Sequence, residues 1–159
     1  MLSRLTKVLA HYDLYKSISN LPGDIVECGV FKGVSLARFA IFRELLSNSA
    51  SRKIIGFDVF GKYPETSFTG DQEMRDHFIQ VAGEESISKQ QLIEVLEHKG
   101  VGKNVDLIEG DITTTVPVYV AQHPELRLLY SISIQIFMNR LLQYWNTFSP
   151  RLSKVACSY

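Results

Sequence analysis

Asp24-Ile25-Val26-Glu27-Cys28-Gly29-Val30-Phe31-Lys32-Gly33 is a short apolar run that ends in an acid and opens into a glycine-flanked turn. Ile25, Val26 and Cys28 suit a buried strand, while Leu36, Phe39, Ala40, Phe42, Arg43 and Leu46 recur at helical spacing over residues 35–46. The two glycines therefore stand at a strand-to-helix turn. Such a junction belongs to a parallel α/β sheet, and it is where those sheets bind nucleotide-like ligands.

The rest of the chain repeats the alternation. Residues 1–18 carry Leu2, Leu5, Val8, Leu9, Tyr12 and Tyr15 on a helical face, expected across the sheet edge or as a cap on the site, before Asn20-Leu21-Pro22-Gly23 breaks it. Lys53-Ile54-Ile55-Gly56-Phe57-Asp58 reads as a second strand that also ends in an acid. Residues 59–70, rich in Gly, Pro, Thr and aromatics, suit a loop beside a ligand. A helix is expected over residues 71–81. Ser88-Lys89-Gln90-Gln91 fits a capping box with Ile87 and Leu92 as a hydrophobic staple, and that helix should stop at Lys99-Gly100. Val105-Asp106-Leu107-Ile108-Glu109 is a third strand, after which Thr115-Val116-Pro117 should begin a helix, since proline is tolerated in a first turn.

A length of 159 residues fits one domain, and 45% hydrophobic residues suffice for a two-layer or three-layer core. Seventeen basic residues balance seventeen acidic ones, so nothing favours nucleic acid or an anionic membrane surface. No apolar run approaches the roughly 20 residues of a membrane span. Cys28 and Cys157 do not suggest a disulfide framework, and the start lacks a signal peptide's layout, so a cytoplasmic protein is expected.

Chemistry concentrates at the strand ends, where Glu27, Asp58 and Asp111 should converge on one crevice. A dinucleotide fingerprint wants glycine where Glu27 stands, and a carboxylate there would repel a pyrophosphate. S-adenosylmethionine has no phosphate and carries an amino group and a sulfonium, so acids favour it; Asp58 could accept both ribose hydroxyls. Gly29 and Gly33 would let backbone approach the ligand. The bland alternatives are concrete: an acid after a strand is often only a helix cap, and Tyr63 and Phe68 can pack a loop as readily as close over a ligand. His11, His77, His98 and His123 lack metal-ligand or triad spacing.

Gly23 to Gly33, then Gly56-Phe57-Asp58-Val59-Phe60 and Leu107-Ile108-Glu109-Gly110-Asp111-Ile112, together resemble the macrocin O-methyltransferase family over residues 21–129. The resemblance implies a Rossmann-like class I methyltransferase sheet with helices on both faces. It also implies S-adenosylmethionine contacts at Glu27, Gly29, Asp58 and Asp111, with Gly33 in the same motif, and methyl transfer to a hydroxyl of a small-molecule acceptor, of sugar or natural-product type, helped by a divalent metal such as magnesium.

The family's later carboxylates, its metal ligands and catalytic base, are not matched, because residues 131–159 contain no Asp or Glu. No catalytic or metal residue is assigned, and the C-terminal strands of the family are expected to be missing. Reading each codon's third base with the next two bases forces Glu at Met138-Asn139 and again at Trp145-Asn146, and it allows Phe-Asp-Ile-Asp from Tyr130. The expectation is therefore a methyltransferase part over residues 1–129 and an aberrant, frameshifted tail over 130–159. A poor fourth strand would leave the first strand with an unpaired edge, although residues 131–137 alternate and can add to the sheet. Two other readings stand: a non-catalytic S-adenosylmethionine-binding module, and a nicotinamide-dependent oxidoreductase.

Overall fold

Ile25 faces one side of a strand and Val26 and Cys28 the other, and each side is buried under helices. The structure, a computed structural model, describes residues 2–62, 79, 80, 83 and 85–133. In chain order the elements are α1 (Leu2–Ile18), β1 (Asp24–Cys28), α2 (Val34–Leu46), β2 (Ile54–Asp58), α3 (Lys89–His98), β3 (Val105–Glu109), α4 (Ile112–Gln122) and β4 (Leu128–Ser133). The sheet order is β3-β2-β1-β4, every pairing is parallel, and the fold is the α/β arrangement that the alternating pattern predicts.

Two cores flank the sheet. Ile25 and Ile54 pack with Tyr15 and Ile18 of α1, Leu36 and Phe39 of α2, and Leu92 and Leu96 of α3. On the opposite face Val26, Cys28, Ile55 and Phe57 meet Val116, Tyr119 and Val120 of α4. Both faces of β1 and β2 are thus apolar, which is why their sequences read as runs rather than as strict alternation. Gly56 in β2 is required by close packing: a Cβ there would lie 2.5 Å from Leu36 Cδ1 and 2.9 Å from Val30 Cγ2.

α3 forms as its sequence dictates. Ser88 and Gln91 complete a capping box, and at the other end Val101 N–H donates to Leu96 O (2.9 Å) and Gly100 N–H to Glu97 O (2.9 Å), with Gly100 at φ 68°. Three expectations are corrected. α1 lies against α2, with Tyr12 edge-on to Phe42 at 5.6 Å, rather than across a sheet edge or over the site. α4 starts at Ile112, because Asp111 caps it by accepting Thr113 N–H at 2.8 Å, so Pro117 stands inside the helix and removes one of its hydrogen bonds. The fourth strand begins at Leu128 and pairs with β1 from Asp24 to Cys28, so β1 has no open edge. Of the helix expected over 71–81 only Ile79 and Gln80 are described, and both are helical. The remainder of that helix, Tyr63, Phe68 and residues 134–159 lie outside the described residues.

The amino ends of the strands are held by two buried arginines. Arg43, wholly buried on the apolar face of α2, donates to the carbonyls of Arg52 (3.2 Å), Asn104 (3.0 Å), Val101 (3.2 Å) and Lys103, and pairs with Glu44 at 3.1 Å. Arg52 donates to the carbonyls of Ile18, Ser19 and Leu21, and its guanidinium lies 5.4 Å over the Tyr15 ring. Chain reversals after α1, α2 and α3 are thereby tied together. Arg43→Met keeps the apolar stem but strands four carbonyls, two of them in buried bonds; we expect a loss of about 3 kcal/mol or more in urea unfolding. A loss under about 1 kcal/mol would show that the carbonyls find other donors.

Candidate functional site

The turn that follows β1 is built from left-handed backbone. Gly29 (φ 86°), Phe31 (φ 51°) and Gly33 (φ 72°) all occupy that region, and at Phe31, which is not a glycine, this costs about 1–3 kcal/mol. The surroundings hold it there. Gly29 N–H donates to Phe57 O at 2.8 Å, Gly33 N–H to Val30 O at 2.9 Å, and Phe31 N–H to Asp58 Oδ2 at 2.8 Å. Gly33 is the N-cap of α2 and supplies no side-chain cap, so the first-turn N–H groups of that helix meet no capping side chain.

Asp58 is the clamp. While Oδ2 holds Phe31, Oδ1 accepts Phe60 N–H at 2.9 Å and the Ser86 hydroxyl at 3.3 Å. Phe60 also has positive φ (49°), so one carboxylate fixes two strained turns, after β1 and after β2, and the segment before α3. That segment closes on the turn through Ile87 N–H to Phe31 O (2.8 Å) and through Lys32, whose ammonium donates to Glu85 O and lies 5.0 Å from the Phe31 ring centroid.

Glu27 sits beneath the turn with only 1% of its surface exposed. Its Oε1 accepts the Ser35 hydroxyl from the first turn of α2, and its Oε2 is buried without a partner. Burial, opposed by the Ser35 bond and reinforced by the Asp58 charge, pushes its carboxyl up to about 8. The neighbouring Cys28 thiol is pushed up to about 12, first by burial and then by Glu27, which makes it an inert core group.

Of the residues singled out in the sequence, Glu27, Gly29 and Asp58 come together at this turn. Gly33 belongs to it, but a Cβ there would lie 2.6 Å from Leu92 Cδ1, so its bareness admits α3. Asp111 stays exposed and serves as the cap of α4; the β3 residue in register with Asp58 is Glu109. Ser35, Ser86 and Lys32 were not singled out. Ser35 is the one with a legible signal, a hydroxyl in the first turn of the helix that follows the strand-end acid. Among the described residues no group of three or more His, Cys, Asp or Glu is placed to hold a metal ion, and no helix is long and apolar enough to cross a membrane.

No protein-family model matches the chain, and neither does any curated protein. Solved structures do. The structure of CalS11, calicheamicin methyltransferase, superposes with a TM-score of 0.78 at 25% identity over 99% of this chain and 65% of its own. The apo structure of CalS11, described as TDP-rhamnose 3′-O-methyltransferase, gives 0.71 at 24% identity over 100% of this chain and 64% of its own. The O-methyltransferase NovP gives 0.73 at 16% identity, over 92% and 60%. The chain thus has the fold of these O-methyltransferases and spans 60–65% of their length.

The buried acid has a measurable consequence for stability. Folded Glu27 keeps its proton up to about pH 8, whereas the unfolded chain releases it near the ordinary carboxyl value of 4.5. Between those values folding takes up a proton, so stability falls as pH rises, by up to about 1.4 kcal/mol per pH unit, and levels off above the folded value. Glu27→Gln should remove this slope, and urea titrations of both proteins between about pH 5 and pH 9 test it. Parallel stability profiles would refute the assignment.

Proposed function

We propose that the chain binds S-adenosylmethionine at the β1–α2 turn and belongs to an O-methyltransferase that acts on a hydroxyl of a small-molecule acceptor. The observation that carries this reading is Glu27: a buried acid, one oxygen unpartnered, directly below an uncapped helix N-terminus. The donor set fits the amino-acid end of that cofactor. The N–H groups of α2 suit its carboxylate, and Glu27 Oε2 suits its ammonium. Asp58 holds Phe31 and Phe60 in place and retains lone pairs for a ribose hydroxyl.

When bound, the cofactor supplies an electrophilic methyl on a sulfonium. The protein's part is to fix that end of the ligand, exclude water from Glu27 and hold the turn rigid, so that an acceptor oxygen meets the methyl in line. The structural likeness to O-methyltransferases supports this reading, as do the three sequence motifs. The described residues supply no ligand set for magnesium, and no step is assigned to a metal.

A second reading, a module that binds the cofactor without transferring its methyl, is favoured by one observation: residues 131–159 offer no Asp or Glu as a base for a hydroxyl. Titration with S-adenosylhomocysteine tests binding, and release of labelled methyl with magnesium added separates enzyme from module. We expect S-adenosylhomocysteine to bind and NADH not to bind; the reverse would restore the oxidoreductase reading. Asp58→Ala should weaken S-adenosylhomocysteine by about tenfold or more, roughly 1.4 kcal/mol, because both strained turns lose their acceptor. Unchanged affinity in that variant would remove Asp58 from the site.

A further inference from the structure

Glu27 and Asp58 form a buried pair of acids, and among the described residues no cation is paired with either. The groups that act on Glu27 are the Ser35 hydroxyl from α2 and the Asp58 carboxylate from β2, while His11 of α1, on the same core, stacks on Phe39 and is held below the usual imidazole range by burial. In register on β4 stands Ile132, which has no charge to offer. The one lysine of the turn, Lys32, is committed to Glu85 O and to the Phe31 ring. Arg43 and Arg52 lie at the amino ends of the strands, where they donate to carbonyls. Two ionised carboxyls in one dry space cost more than the interior can offset, so a proton on Glu27 takes the place of the missing cation. Oε2, buried and unpartnered, is where that substitution leaves a defect.

We infer that Glu27 exchanges its proton for the ammonium of the ligand, so that the site selects a cationic ligand and releases one proton to solvent on binding. The balance is simple: the carboxylic acid loses a proton to buffer, the carboxylate and ammonium pair, and no covalent bond of the ligand changes. The inference rests on the S-adenosylmethionine reading above and adds a criterion within it. An adenosine thioether that lacks the amino-acid end cannot trigger the exchange.

Isothermal titration at about pH 7 in phosphate and in Tris, which differ in ionisation enthalpy, counts the protons. S-adenosylhomocysteine should release close to one proton from the wild-type chain, and its affinity should rise by up to about tenfold per pH unit between about pH 6 and pH 8. 5′-Methylthioadenosine should bind with no proton release. Glu27→Gln, checked for an unchanged circular dichroism spectrum, should bind S-adenosylhomocysteine about tenfold or more weakly and release no proton. Wild-type binding of S-adenosylhomocysteine without proton release overturns the exchange and leaves the cofactor reading standing; so does equal release from Glu27→Gln. Failure of both nucleosides to bind the wild type overturns the cofactor reading and the exchange with it.

Discussion

The site's chemistry follows from the position of β1. A strand paired in parallel on both sides and covered by helices on both faces has no wet surface beyond its first residue, so an acid at its last position but one is buried by the architecture. Glu27 is such an acid, in register with Gly56 of β2 and close enough to Asp58 to feel its charge. Its raised proton affinity, its bond from Ser35 and the unpartnered oxygen are consequences of that placement. An identical acid on an edge strand would be solvated and ordinary.

The two ends of the sheet are stabilised by opposite charges used in opposite ways. At the amino ends Arg43 and Arg52 donate to carbonyls from three chain reversals, and those bonds close the structure. At the carboxyl ends Asp58 accepts from two backbone N–H groups and a hydroxyl, which fixes a turn but leaves acceptor capacity unspent. Guanidinium donors facing carbonyls have no further business with a ligand. Carboxylates facing backbone N–H groups do, because each oxygen can accept again. Each end also holds strained backbone: Phe31 and Phe60, both at positive φ, are held by Asp58, and Asn104, at positive φ before β3, has its carbonyl held by Arg43.

The elements were legible where local signals and tertiary packing agree. The capping box at Ser88 and the stop at Gly100 gave α3 to within a residue, and the strand-end acids gave the sheet's sense. The capping role of Asp111 was passed over because the same feature, an acid after a strand, caps a helix or binds a ligand according to what lies above it. The start of α4 was misplaced for the same reason, with Pro117 given more weight than the cap that precedes it. Arg43 lay in plain sight on an apolar helical face, but a buried arginine's partners are carbonyls from distant loops, and no local pattern encodes those. The Asp58 clamp was hidden likewise, since its donors lie 27, 2 and 28 residues away.

The structure also changes the reason for setting a dinucleotide aside. A carboxylate at position 27 would repel a pyrophosphate, yet an acid that holds its proton up to about pH 8 is neutral at physiological pH. An approaching phosphate would only tighten that proton, so the direct repulsion from Glu27 is small. What remains is geometric and cumulative. The Glu27 side chain and its Ser35 partner occupy space that a pyrophosphate needs, Gly29 and Phe31 have committed their N–H groups to Phe57 O and Asp58, and the Asp58 carboxylate lies close by. A ligand suited to this turn must offer a positive group to the buried oxygen and a negative one to the helix N-terminus, and an α-amino acid carries both on one carbon.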